Sequence, residues 1–278
     1  MSIVDFVKVV LLGIVEGITE WLPVSSTGHL LLLERWISLG LSDEAMDFFL
    51  VFIQLGAVLA VCAFYRNLWN PLTKKTREER RSYLLMWGRV ILGCIPAGLA
   101  GVLLDDPLDK LLSHGKSAIL TVGCTLLVYG VAFVALEHVR GQNGNECKQE
   151  RTITVKTAFF IGCFQVLSLV PGTSRSGSTI LGASLLGAGR VAAAEFSFLM
   201  AMPLMLGATL LRGGKLFASG IVITQGEWAI LLVGFLTAFF VSLVAVRFLL
   251  DFVRRHTFCA FGWYRIGLGL IVLLFALR

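Results

Sequence analysis

Charged side chains are scarce in this chain, and their scarcity excludes a soluble globular protein. Only 15% of the 278 residues are Asp, Glu, Lys or Arg, whereas 56% are hydrophobic and the mean hydropathy is +0.83. Soluble domains have about 25% charged residues and about 45–50% apolar residues. The apolar residues form continuous runs of helical length, which predicts an all-α polytopic membrane protein, because helices satisfy their own backbone hydrogen bonds in lipid.

The chain also lacks cysteine pairs with the spacing of a metal site. Its six cysteines lie mostly in or beside apolar runs, which indicates small packing residues. The first apolar run has no basic segment before it and no A-x-A-like cleavage site, so we expect no cleavable signal peptide. The net charge is +6, but the basic residues cluster between apolar runs. This distribution indicates contact with membrane lipids and argues against a nucleic-acid partner.

Six apolar segments are long enough to cross a membrane. They cover approximately residues 45–65, 84–104, 118–136, 195–211, 228–250 and 262–277. Two further apolar segments, 3–36 and 157–189, are interrupted by Pro23 and Pro171, which stop a helix. We therefore expect six transmembrane helices plus two re-entrant helix-loop-helix hairpins.

The loop charges predict how these segments are oriented. Basic residues in the loops 66–83 and 138–156 place both in the cytoplasm, whereas the acidic loop 105–117 faces outward. With six spans, the two hairpins must then enter from opposite sides. This predicts one integral membrane domain over 1–278, made of inverted repeats of approximately 1–137 and 157–278 joined by the cytoplasmic loop 138–156.

A weak sequence repeat supports this organisation. Residues 23–27 (Pro-Val-Ser-Ser-Thr) resemble residues 171–175 (Pro-Gly-Thr-Ser-Arg) when the two prolines are aligned. Inverted repeats with interrupted helices place a site near the middle of the membrane, at the interface of the repeats. We therefore expect the two polar interruptions to meet.

The first interruption begins with two carboxylates. Glu16 and Glu20 are four residues apart, so on a helix they share one face at about 5–6 Å. Two buried carboxylates repel, and a divalent cation or an arginine would relieve the repulsion. Mg²⁺ is commonly held by one or two carboxylates together with substrate phosphates. The pair can be a metal site, a general acid and base, or hydrogen-bond partners of nearby hydroxyls.

Hydroxyls and an imidazole follow the carboxylates. Ser25, Ser26 and Thr27 can cap a second helix or bind a phosphate at its N-terminus. Ser26 can also be a nucleophile if a base is within reach. His29 lies three residues further on and can be that base or itself the nucleophile. The sequence leaves these alternatives open.

The second interruption carries one cation among hydroxyls and glycines. Arg175 can bind phosphate oxygens with two donors, or can pair with a glutamate of the first interruption. Thr173, Ser174 and Ser176 add donors for a phosphate. Either role of Arg175 brings the two interruptions together.

These motifs resemble the bacterial undecaprenyl-diphosphate phosphatase family of the BacA/UppP type. The resemblance rests on E-x-x-x-E, L-P-V-S-S-T-G-H and P-G-T-S-R-S-G-S-T, with looser matches at 49–57 and 195–199. It implies hydrolysis of undecaprenyl diphosphate to undecaprenyl phosphate and inorganic phosphate. That reaction recycles the lipid carrier for peptidoglycan and other cell-wall synthesis, and it confers bacitracin resistance.

The resemblance also implies a site and a location. Position by position, the catalytic residues are Glu16, Glu20, Ser26, His29 and Arg175, with Glu16 and Glu20 holding a divalent cation, Mg²⁺ or Ca²⁺. The implied location is the bacterial plasma (inner) membrane, with the site facing the periplasmic side, and a homodimer is compatible with the family. A flippase for prenyl phosphate is the rival class, because inverted repeats and re-entrant tips are also transporter architecture.

Overall fold

The computed structural model describes residues 2–34, 37–66, 76–112, 115–142, 152–218 and 223–276, and within these ranges the chain forms ten α-helices and no strand. The helices are α1 (Ile3–Thr19), α2 (Ser26–Glu34), α3 (Asp43–Phe64), α4 (Arg77–Leu112), α5 (Gly115–Gln142), α6 (Val155–Val166), α7 (Arg175–Leu185), α8 (Arg190–Ala218), α9 (Gln225–Arg255) and α10 (Cys259–Ala276). A 3-10 turn, Leu167–Leu169, follows α6.

Among the described residues, six helices are long and apolar enough to cross a membrane, which confirms the predicted number of spans. They are Ala45–Phe64, Arg77–Leu104, Ser117–Gly141, Arg190–Lys215, Gln225–Arg255 and Cys259–Ala276. The helix α4 begins seven residues before the predicted apolar run, because Thr76 caps it: the hydroxyl of Thr76 accepts from the N–H of Glu79 at 3.1 Å. Hydropathy detects the apolar part of a helix and misses such polar first turns.

The loops predicted from charge are shorter than expected. The helices α4 and α5 continue through most of 105–117, ending at Leu112 and beginning again at Gly115. The helix α5 runs to Gln142 and α6 begins at Val155, so the structure replaces both ends of the predicted loop 138–156 with helix. Residues 67–75 of the first cytoplasmic loop and 143–151 of the second lie outside the described residues.

Both interrupted segments form two helices separated by a break, as predicted. The first break, residues 20–25, lies between α1 and α2 and contains Pro23. The second break, residues 170–174, lies between the 3-10 turn and α7 and contains Pro171.

The helices that follow the two breaks begin in the same way. Ser25 and Ser174 have φ angles of 73° and 70°, and among the described residues no other non-glycine has a positive φ. The hydroxyl of Ser25 accepts from the N–H of Gly28 at 3.3 Å, and that of Ser174 from the N–H of Gly177 at 3.1 Å. By these caps, Ser25 corresponds to Ser174. Aligning Pro23 with Pro171 would instead pair Ser25 with Thr173, so the proline alignment is off by one residue.

Helices from the two halves of the chain pack against each other. The helix α1 lies along α9, whereas α6 lies along α4 and α5 along α10. The last pair approaches closely: a Cβ on Gly130 would lie 2.8 Å from the carbonyl oxygen of Gly262, and the reverse distance is also 2.8 Å. A cluster of buried apolar side chains that includes Trp21, Ile180 and Phe198 surrounds the two breaks.

Candidate active site

An ion pair joins the two breaks. The guanidinium of Arg175 donates to Oε1 of Glu20 from Nε at 3.2 Å and from Nη2 at 3.1 Å. Glu20 is the first residue of the first break, and Arg175 is the first residue of α7 after the second break. The structure therefore brings the two polar motifs into contact, as the sequence predicted, although they are 155 residues apart.

The second carboxylate oxygen of Glu20 accepts a hydrogen bond from a serine hydroxyl. The hydroxyl of Ser26 donates to Oε2 of Glu20 at 3.1 Å, and both side chains are buried. One carboxylate thus orients the guanidinium with one oxygen and receives a hydroxyl proton with the other. This arrangement can activate a nucleophilic oxygen next to a cation that stabilises phosphate charge.

The Arg175 side chain is held on three sides. Its Nη1 donates to the backbone oxygen of Ser197 on α8 at 2.9 Å, and its guanidinium carbon lies 5.6 Å from the ring centroid of Trp21. The ring of Trp21 is in turn braced edge-on by Phe198. These contacts fix the direction of the guanidinium before any ligand binds, which favours an oriented anion site.

The serines of the second motif link α7 to the first break. The hydroxyl of Ser176 donates to the backbone oxygen of Glu20 at 3.0 Å and lies 3.3 Å from that of Leu22. The hydroxyls of Ser174 and Ser176 are 3.1 Å apart. Ser176, with Ser174 beside it, thus holds the start of α7 against the backbone of the first break.

Glu16 is a buried carboxylate that makes no hydrogen bond within the described part of the chain. It lies one turn before Glu20 on α1 and is fully inaccessible, and neither of its oxygens has a partner among the described residues. The charges of Glu20 and Arg175 are near enough to interact with it. Burial of an unpaired carboxylate is costly, so the two free oxygens indicate a site for a cation or a donor.

The donor set around Glu16 suits a hard cation that also binds substrate. Among the described residues, no group of three or more His, Cys, Asp and Glu side chains converges. A metal cage built by the protein alone is therefore not seen in that part of the chain. Two carboxylates of which one is unpaired fit Mg²⁺ or Ca²⁺, whose remaining ligands are waters and phosphate oxygens.

Both ring nitrogens of His29 are engaged by groups other than the Ser26 hydroxyl. Its Nδ1 lies 2.7 Å from the backbone oxygen of Ser25, and its Nε2 lies 2.7 Å from the hydroxyl of Tyr264 on α10. A carbonyl can only accept, so Nδ1 carries the proton and Nε2 accepts from Tyr264 in the neutral ring. The two rings stack at 5.6 Å. The sequence analysis offered His29 as the base for Ser26, whereas in the structure the Ser26 hydroxyl donates to Glu20.

The remaining predicted residues have different positions. Ser25 is buried and caps α2, and Thr173 is buried in the second break, where its backbone oxygen accepts a hydrogen bond. Thr27 is exposed in the first turn of α2 and makes no side-chain hydrogen bond to another described residue. The helices α2 and α7 both begin at the breaks, so their N-terminal dipoles add positive potential there.

Arg265, which the sequence analysis missed, lies between the two breaks. It is fully buried on α10, where Nη1 donates to the oxygen of Pro23 at 3.2 Å and Nη2 donates to those of Gly172 and Thr173 at 3.0 and 2.9 Å. The signal that could have identified it is a lone arginine inside the last apolar run, because ionisable residues at membrane depth are costly and usually functional. Ser197 and Tyr264 were also missed, because only the fold brings them to the breaks.

The chain is similar to known proteins over nearly its whole length. The sequence model of the family described as bacitracin resistance protein BacA matches residues 9–271. A protein of Enterococcus faecalis called undecaprenyl-diphosphatase is 45% identical over 267 residues, which cover 96% of this chain and 95% of that protein. Proteins of the same name from Lactiplantibacillus plantarum and Acetivibrio thermocellus are 46% identical, over 97% and 98% of both chains respectively. The chain therefore belongs to the bacitracin resistance protein BacA family.

Proposed function

We infer that the chain is an undecaprenyl-diphosphate phosphatase, which hydrolyses undecaprenyl diphosphate to undecaprenyl phosphate and inorganic phosphate. This reaction recycles the lipid carrier for cell-wall synthesis, and it confers bacitracin resistance. Relatives of that name, 45% to 46% identical over nearly the whole chain, support the activity. The observation that supports it within the molecule is the set formed by the buried Ser26 and Glu20 and the partly buried Arg175, which holds a nucleophile, a base and a phosphate-binding cation together.

The proposed reaction begins with the diphosphate at the two helix N-termini. Arg175 and the free N–H groups of α2 and α7 bind its oxygens, while the prenyl chain stays among the apolar helices. The oxygen of Ser26 attacks the terminal phosphorus, and Oε2 of Glu20 takes the hydroxyl proton. The bond from that phosphorus to the bridging oxygen breaks, and undecaprenyl phosphate leaves with the electron pair.

The second step returns the enzyme to its starting state. Water attacks the phosphorus of the phosphoserine, and the bond from phosphorus to the Ser26 oxygen breaks. Ser26 takes back the proton that Glu20 holds, the proton of the attacking water leaves to solvent, and inorganic phosphate departs. Arg175 stabilises the charge on the phosphoryl oxygens in both steps, because its direction is fixed by Ser197 and Trp21.

The other residues of the site support the phosphate in this proposal. Ser174, Ser176 and Thr173 line the second break, whereas Ser25 caps α2 and the exposed Thr27 offers a hydroxyl at the mouth of the site. His29 holds the cap of α2 against α10 through Ser25 and Tyr264. Its catalytic contribution is then to fix the position of Ser26 rather than to accept its proton.

Glu16, together with Glu20, would hold the divalent cation, Mg²⁺ or Ca²⁺. The unpartnered oxygens of Glu16 support this assignment, since they have no other role among the described residues. Such a cation, when bound, supplies positive charge that offsets the phosphate oxygens and the two carboxylates.

The proposed membrane arrangement is a pair of re-entrant hairpins in an inverted repeat of 1–137 and 157–278, joined through 138–156. The matching caps of α2 and α7 support it, as does the reciprocal packing of α1 on α9 and of α6 on α4. The 17 residues of α1 span about 25 Å, less than the hydrocarbon thickness of about 30 Å.

The proposed location is the bacterial plasma (inner) membrane, with the site open to the periplasmic side. Basic residues near the ends of α5 and α9, such as Arg140 and Arg254, support the cytoplasmic assignment of those ends. Cysteine labelling from either side of the membrane would test it. The family resemblance extends the proposal to a homodimer, which cross-linking in native membranes would test.

The activity is tested with purified protein in detergent, a prenyl diphosphate, Mg²⁺ and a phosphate readout. We expect phosphate release by the wild type, and a loss of at least about 100-fold in Glu20→Gln and Arg175→Ala. Arg247→Ala is the matched control, because this arginine is exposed on the outer surface of α9. Absence of phosphate release, or full activity in both site variants, would contradict the proposed function and favour a prenyl-phosphate carrier without chemistry.

A further inference from the structure

Arg265 carries a charge that burial makes costly and that no acidic side chain in the described part of the chain pairs with. It is fully inaccessible within a span of mean hydropathy 1.8, and it forms no ion pair with any described residue. Removing an ion from water costs several kcal/mol unless other groups replace the water. Here three backbone oxygens replace it, and the ring of Tyr129 lies 5.2 Å from the guanidinium carbon.

The three oxygens belong to both breaks. Pro23 lies two residues before the cap Ser25, and Gly172 and Thr173 directly precede the cap Ser174. Carbonyl groups in a break have no helical partner, so a buried break needs donors from elsewhere. One planar guanidinium supplies them to both breaks at once, and its fork holds the two at a fixed separation.

The neighbouring residues leave space for this fork. A Cβ on Gly177 would lie 2.8 Å from Nη1 of Arg265, so a side chain at this position would displace the guanidinium. The next residue, Ser178, donates to the hydroxyl of Tyr129 at 3.2 Å, which ties the ring under Arg265 to α7. The first turn of α7 is thus built around the guanidinium.

We propose that Arg265 is a positioning residue for phosphoryl transfer, whose guanidinium clamps the first break to the second and so sets the distance between Ser26 and Arg175. Ser26 is the first residue of α2 and Arg175 the first of α7, so a shift between the breaks moves the nucleophile relative to the phosphate-binding cation. The proposal rests on the proposed function for its catalytic consequence. Its structural part, the coupling of the two breaks, does not depend on the reaction.

A misplacement of about 1 Å between reacting groups can lower a rate by about 100-fold while leaving binding contacts in place. Arg265→Lys keeps the buried charge, but its single nitrogen cannot span the oxygens of both breaks. We expect kcat to fall about 10- to 100-fold, with KM within about threefold of the wild-type value.

A second variant disturbs the same fork without changing Arg265. Gly177→Ala adds a methyl group to a helix, which favours folding, and it pushes the guanidinium away from the breaks. As in Arg265→Lys, we expect kcat to fall while KM stays close to the wild-type value. Because both substitutions act through one contact, the double variant should lose no more than the more impaired single variant.

Two control variants match these substitutions. Arg247→Lys changes an exposed arginine on α9, and Gly207→Ala adds a methyl group on α8 where nothing lies within 4 Å. Both should keep wild-type kcat, and size-exclusion chromatography in detergent checks that all variants fold.

Hydrogen exchange measured by mass spectrometry gives the readout that is independent of activity. In Arg265→Lys, or in Gly177→Ala if the lysine variant does not fold, residues 20–25 and 170–174 should both exchange faster than in the wild type, while α8 is unchanged. Wild-type kcat, a change confined to KM, or faster exchange in one break alone or in neither would overturn the proposal. If the wild type releases no phosphate, the proposed function fails, and the exchange result alone decides the role of Arg265.

Discussion

The hydroxyl of Ser26 donates a hydrogen bond of 3.1 Å to Oε2 of Glu20, across the first break of the chain. The other oxygen of the same carboxylate accepts from Arg175, so proton removal and phosphate binding converge on one residue. This relationship separates Ser26 from His29, whose nitrogens are engaged by Ser25 and Tyr264.

Tyr264→Phe should leave kcat within about threefold of the wild-type value. The hydroxyl of Tyr264 contacts His29, and the proton of Ser26 goes to Glu20, so its removal does not touch the proton transfer. Steady-state phosphate release in detergent measures the effect. A loss of 100-fold or more would instead indicate that His29 is the base.

Glu16→Gln should abolish the stabilisation of the folded protein by its divalent cation. A cation that binds the folded state raises the melting temperature, and the unpartnered oxygens of Glu16 are the proposed ligands. We expect Mg²⁺ to raise the melting temperature of the wild type in detergent and to leave that of Glu16→Gln nearly unchanged. Asp251→Asn, an exposed acidic control on α9, should respond like the wild type. An equal rise in Glu16→Gln would place the cation elsewhere.

Substitutions of the cap serines should distinguish the stability cost of the positive φ angle from the contribution of the cap hydrogen bond. Ser25→Ala and Ser174→Ala lose the hydroxyl and keep a Cβ at φ near 70°, whereas the glycine variants lose both the hydroxyl and the Cβ, so the positive φ is no longer costly. We expect alanine to lower the free energy of unfolding by about 1–2 kcal/mol more than glycine does at each position. Reversible denaturation in detergent measures the difference, and equal losses for alanine and glycine would contradict the strained caps.

Arg190→Gln should destabilise the protein at a distance from the site. Arg190 donates to both oxygens of Glu137, at 3.0 and 2.6 Å, and Glu137 is buried. Removal of one partner of a buried pair costs about 3–5 kcal/mol, and less here because the Arg190 side chain is 29% exposed. The melting temperature should fall, and the double variant Glu137→Gln/Arg190→Gln should recover part of the loss. A double variant less stable than Arg190→Gln would contradict this pairing.

The sequence predicted what depends on composition and local pattern. Six spans follow from the length of the apolar runs, and the two breaks follow from Pro23 and Pro171. For Arg175, the sequence analysis offered two roles, phosphate binding or pairing with a glutamate of the first interruption. The structure shows the pairing with Glu20, as expected for opposite charges that are both removed from water.

The sequence could not predict contacts that depend on where a distant helix lies. The partners of Arg265 are backbone oxygens, which leave no pattern in the side chains. The contact of His29 with Tyr264 requires α10 to pass beside α2. The match of Ser25 with Ser174 is set by φ angles, so aligning the prolines missed it by one residue.

The most direct test of the account is to trap the phospho-enzyme and identify the residue that carries the phosphate. The enzyme is mixed with a prenyl diphosphate labelled in its terminal phosphate and quenched within one turnover, in acid for one sample and in alkali for a second, because phosphoserine survives acid and phosphohistidine survives alkali. The account predicts an acid-stable phosphate on Ser26 that is absent from Ser26→Ala and still present in Tyr264→Phe. An acid-labile phosphate on His29, or single-turnover phosphate release by Ser26→Ala at the wild-type rate, would contradict it.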